Sequence, residues 1–179
     1  MGYKKLAVDL DISPKEAKTM LNQFREKVPF MQGMLEAVMH RANKVGSIRT
    51  YLGRRCKFDL WEPNWFEMDP VTKQPVFHKA LPHTAAAIKW GGSIKRAGTY
   101  KALNRLIQGT AADQTKKAMV NVYEKLGVIP LIQVHDELNC SVKSDIMAKE
   151  IKDIMENCIK LEVPTKVEYK TKNNWGDAK

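Results

Sequence analysis

"LIQVHDELNCSV", residues 131–142, sets a His-Asp-Glu triplet between two short apolar runs. With the preceding "VIP" it reads as two strands hinged at His135 and Asp136, a tight hairpin whose strands are core and whose tip is polar. Successive strand residues point to opposite faces, but where the backbone turns, the carboxylates of Asp136 and Glu137 can both reach one open edge. Carboxylate oxygens are hard ligands suited to magnesium, which keeps several waters and is completed by substrate phosphates. Two of them near positive charge have the composition of a phosphoryl-transfer site. Taken alone, the triplet is more simply read as a hairpin tip that is polar because it is wet.

Upstream, Leu103, Ile107, Ala111, Ala118 and Val122 recur at helical spacing between Thr99 and Leu126, and Gly127 stops the pattern. Within this helix Asn104 and Gln108 are four apart and share a face, while Gly109, Ala111 and Ala112 leave little bulk against close approach by another backbone. Asn and Gln on one face can meet the acceptors common to all base pairs in a DNA minor groove, sensing shape without reading sequence. Downstream, Ser144 is a candidate cap for a helix from Asp145 to Lys160, and "TKVEYKTKNNW" offers a last strand.

Towards the N-terminus, "SPKEA" holds a complete helix-start signal: Ser13 as cap, Pro14 at the first helical position and Glu16 closing a capping box. Ala17, Met20, Leu21 and Phe24 form its apolar face, and Pro29 interrupts it. A second helix carrying Met31, Met34, Leu35, Val38 and Met39 runs to Lys44 before Gly46. "SIRTYLGRR" then reads as a strand delivering Arg54 and Arg55 to its end. Residues 58–98 show no sustained period and carry Pro63, Pro70, Pro75 and Pro82, which predicts an irregular surface excursion pinned by Trp61, Trp65 and Phe66. Aromatics among basic residues can also stack on bases. The division expected is a helical 1–46, a strand with a basic pair at 47–57, the insertion at 58–98, and a unit of helix, hairpin, helix and strand at 99–179. Together these elements predict an α+β fold whose antiparallel sheet is covered on one face.

Thirty Lys and Arg against twenty Asp and Glu leave a formal charge of +10, which makes a polyanion the first partner to test. Cys56, Cys140 and Cys158 form no CxxC pair, so neither a zinc site nor a disulfide framework is indicated and a reducing compartment fits. No apolar run approaches the roughly 20 residues of a membrane helix, and no signal-peptide layout opens the chain. No membrane partner is expected, and the cytoplasm, the host cell's if a phage encodes the chain, is the expected location.

"LNRLIQGTAADQTKKAM" followed by "LIQVHDEL" resembles the C-terminal part of family A DNA polymerases, the class of bacterial DNA polymerase I and many phage replicases. The resemblance extends to "LDISPKEAKTMLNQFREKVP", similar to helices of the fingers, to "TYLGRR", and to the terminal "NNWGDAK". It implies that Asp136 is the metal-binding aspartate of the third palm motif and that Glu137 is its accompanying acid. His135 and Gln108, with Asn104 beside them, match residues that touch the primer terminus and the minor groove. Arg54 and Arg55 match a basic pair near the DNA backbone. Thr99 and Tyr100 stand where cellular members commonly carry Glu-Arg, and the insertion looks more like the phage branch.

A two-metal polymerase also needs a second aspartate on another palm strand, and a helix with a lysine and an aromatic to hold the incoming triphosphate. Asp9 and Asp11 lack the pattern that follows the family's aspartate. The resemblance therefore implies a fingers and palm fragment using Mg2+, primer-template DNA and deoxynucleoside triphosphates, completed by an N-terminal fragment. A catalytically silent DNA-binding remnant or assembly element is the alternative. A small magnesium-dependent nuclease would need further acids that the sequence does not place.

Overall fold

The computed structural model describes residues 2–178, with the backbone alone at Ala178. The chain is α+β and divides into two compact units, one of Met1–Ile48 with Arg55–Asn104, the other of Arg49–Arg54 with Arg105–Lys179.

The first unit opens with three helices: α1 (Tyr3–Asp9), α2 (Pro14–Lys27) and α3 (Pro29–Val45). The start of α2 is the expected capping box, with the Ser13 hydroxyl accepting from the Glu16 amide at 3.2 Å and the Glu16 carboxylate accepting from the Ser13 amide at 3.0 Å. Gly46 ends α3 in the left-handed region, φ +72°. The expected apolar face of α2 is only partly enclosed: Ala17 is buried, whereas Met20 and Phe24 are exposed. The α1 helix was not foreseen, because it has no side-chain cap and too few residues for its period to show.

After α3 come β1 (Ser47–Arg49) and β2 (Arg55–Lys57), paired as a two-stranded sheet in place of the single strand expected. The stretch 58–98, read as irregular, contains β3 (Leu60–Pro63), β4 (Leu81–Pro82), α4 (His83–Trp90) and β5 (Ile94–Arg96). These strands form an antiparallel sheet in the order β4-β3-β5, with Trp61 opposite Leu81 on one side and Arg96 on the other. Strands this short show too few alternations for a period-2 signal to register. Arg96 ties the sheet to the end of α3: its Nε donates to the Asn43 carbonyl at 3.1 Å and its Nη1 to the Phe58 carbonyl at 2.9 Å. The guanidinium also sits 4.7 Å from the Trp61 ring centroid. Trp65 meets the His78 ring edge-on, but Phe66 is exposed and pins nothing, and Phe77 at the same tip is 90% exposed.

The second unit holds most of α5 (Ala102–Leu126), then β6 (Pro130–Val134), β7 (Glu137–Cys140) and α6 (Asp145–Asn157). Gly127 follows α5 at φ +66°, and the Ser144 hydroxyl caps α6 by accepting from the Met147 amide at 3.2 Å. Along α5, Ala118 and Val122 are buried while Ile107 and Ala111 are exposed, so the expected stripe is covered only over part of its length. Val122 is the one side chain of its size fully enclosed among the described residues; much of the rest of the interior is alanine.

Two expectations fail in this unit. The segment 165–175, expected as a last strand, forms none and joins no sheet. The β6 strand is not core either: Leu131 is 68% exposed, and Ile132 and Val134 are exposed with it. Among the described residues the sheets are therefore three small ones and not one covered sheet.

Candidate active site

Residues Val134 and Glu137 pair across β6 and β7, which leaves His135 and Asp136 as a two-residue turn. Gln133 faces Leu138 and Ile132 faces Asn139, and the register slips at Leu131. His135 takes the positive φ that such a turn requires, +53°, and its carbonyl accepts from the side-chain Nε2 of Gln133 at 2.6 Å. Asn139 Nδ2 donates to Glu137 Oε1 at 3.1 Å and so orients that carboxylate.

Asp136 and Glu137 border the same cavity of about 850 Å³, walled by α5, the hairpin, α6 and residues 165–170. Both acids therefore face one space although they are sequence neighbours. Two adjacent carboxylates fit part of a magnesium coordination sphere, since the ion takes oxygen ligands and retains waters. Among the described residues no three His, Cys, Asp or Glu side chains gather as a ready-made metal site.

The loop between β1 and β2 is seated on α5 by a buried polar cluster. Asp113 is 7% exposed; its Oδ2 accepts from the Thr50 hydroxyl at 2.5 Å and its Oδ1 from Arg54 Nε at 2.6 Å. Arg54 Nη2 also donates to the Gly109 carbonyl at 2.8 Å. Tyr51 adds two ties, its amide donating to Thr110 Oγ1 at 3.2 Å and its hydroxyl to the Lys160 carbonyl at 2.8 Å. Burial pushes the Asp113 carboxyl up, but the Thr50 hydroxyl and the Arg54 guanidinium more than offset it, and the carboxyl stands below its ordinary range. Glycine at 109 makes room for this loop, because a Cβ there would lie 2.9 Å from Thr50 Cγ2 and push that side chain aside.

The site residues read from sequence are thus distributed. Asp136, Glu137, His135, Gln108 and Arg54 lie in the second unit, and Asn104 and Arg55 in the first. All seven are exposed. Sequence reasoning missed Thr50 and Asp113; the available signal was an acid on α5 one turn beyond Gly109, on the face that glycine leaves open.

The model of the family described as DNA polymerase family A matches residues 1–177. The chain belongs to DNA polymerase family A. Similar members include the DNA-directed DNA polymerase of Pseudomonas phage M6, 38% identical over 161 residues that make up 90% of this chain and 20% of that protein. The thermostable DNA polymerase I of Thermus filiformis is 30% identical over 186 aligned residues, 100% of this chain and 19% of that protein. Among solved structures, the POL domain of Pol1 from M. smegmatis in complex with DNA primer-template and dNTP superposes with a TM-score of 0.63 at 29% identity. That match covers 91% of this chain and 26% of the other. The family A chain thus spans about a fifth of the length of the curated relatives it matches. No helix among the described residues is long and apolar enough to cross a membrane.

Proposed function

We propose that this chain is the C-terminal fingers and palm portion of a template-directed DNA polymerase, active only together with an N-terminal portion. That portion would carry the second palm aspartate and the nucleotide-binding helix. The observation that carries the reading is the hairpin: family membership across the chain coincides with a turn that sets Asp136 and Glu137 on one cavity. The reaction is attack of a primer 3′-hydroxyl on the α-phosphate of a deoxynucleoside triphosphate, with pyrophosphate leaving.

Asp136 would hold Mg2+ together with the missing aspartate, and Glu137, oriented by Asn139, would support that geometry. Magnesium, when bound, lowers the pKa of the attacking hydroxyl and neutralises charge developing on the phosphate. His135, at the tip of the turn, and Gln108 and Asn104, exposed on α5, would contact the primer terminus and the minor groove. Arg54 and Arg55 would contact backbone phosphates.

The test is to mix the purified chain with an N-terminal polymerase fragment and assay primer extension. Extension in the mixture alone is expected, and Asp136→Asn should abolish it with little change in melting temperature. Full activity of this chain by itself, or retained activity of the Asp136→Asn mixture, overturns the reading. DNA binding without extension in any mixture would leave a catalytically silent DNA-binding element.

A further inference from the structure

We infer that Asp113 is a positioning residue for DNA binding: it locks the Arg54 guanidinium onto α5 so that the remaining N–H groups stand ready for a backbone phosphate. The inference rests on the proposed DNA contact of Arg54 and adds the group that makes it effective.

The geometry is that of a held fork. Arg54 Nε is spent on Asp113 and one Nη2 proton on the Gly109 carbonyl, which leaves three of the five N–H groups of a guanidinium. The side chain is 50% exposed while its partner carboxylate is 7% exposed, so the anchor is dry and the free edge is wet. The Thr50 hydroxyl closes the arrangement, donating to Asp113 at 2.5 Å and accepting from the Arg54 amide at 3.0 Å. An unanchored arginine loses rotamer entropy on meeting a phosphate; this one has lost it already, on folding. Lys116 lies close enough to Asp113 to help hold its carboxyl low, and adds a second cation to the neighbourhood.

Simple electrostatics predicts the opposite effect, which makes the inference testable. Asp113→Asn raises the formal charge from +10 to +11, so an acid that merely sits near DNA should bind DNA more tightly once neutralised. A positioning role predicts weaker binding. The experiment is titration of a primer-template duplex with the full chain between about 50 and 200 mM salt, recording the slope of log K against log salt.

Arg54→Gln, which keeps a donor for Asp113, should lower the slope by roughly 0.9, one phosphate contact. Asp113→Asn should lower it equally, and the double variant no further. If Asp113→Asn does not fold by circular dichroism, Gly109→Ala decides: its Cβ would meet Thr50 Cγ2 at 2.9 Å and Arg54 Nη2 at 3.3 Å, displacing the fork without altering charge. A slope lowered by Arg54→Gln but unchanged in the folded Asp113 or Gly109 variant overturns the inference and leaves the DNA contact standing. An unchanged slope in Arg54→Gln, or no binding by the chain itself, removes the contact and the inference together.

Discussion

At the scale of the residue, Asp113 has a pH signature as well as a positional one. Its carboxyl is lowered on folding, so its contribution is fully present above the unfolded value of about 3.9 and declines as pH falls through the lower folded value. The melting temperature of the unaltered chain should therefore fall as pH drops below about 4, and that of Asp113→Asn should fall less over the same window. Scanning calorimetry at stepped pH measures the difference, and parallel curves would remove the carboxylate from the stability balance. His135 poses a separate problem, since it holds φ +53° without being glycine. His135→Gly should leave the isolated chain as stable or up to about 1 kcal/mol more stable. Urea melts check this, and a loss would mean that the imidazole itself supports the turn.

At the scale of the element, the helix boundaries were legible because their signals are local. The Ser13 cap, Pro29, Gly46, Gly127 and Ser144 each act through backbone groups within one turn of themselves. Ser13→Ala should cost about 1 kcal/mol, read from a denaturant midpoint at constant m. The hairpin was also legible as a hairpin, but its burial was not, because alternation reports two faces and cannot say whether anything covers them. Leu131→Thr, at 68% exposure, should change the stability of this chain by less than about 0.5 kcal/mol. A cost of several kcal/mol would restore β6 to the core. The sheet β4-β3-β5 escaped notice because each of its strands has at most four residues and its order depends on partners distant in sequence.

At the scale of the whole molecule, two properties compete when the chain is studied alone. Its formal charge of +10 keeps copies apart, while Phe24, Phe30, Phe77, Leu131 and other large apolar side chains stand exposed. Sedimentation should therefore show association that strengthens with salt, as screening weakens the repulsion, and association that weakens with salt would assign it to charge pairs instead. The sequence alone determined the family, the α+β class, the capped helices and the His135-Asp136 turn with its two carboxylates, because these depend on neighbours along the chain. Only the tertiary structure decided that Asp136 and Glu137 share one cavity and that Arg54 is anchored on a buried Asp113. It also decided that the β6 strand lies bare and that residues 165–175 form no strand. The physical reason is that burial, ion pairing and strand pairing are properties of two surfaces, and a sequence displays one surface at a time.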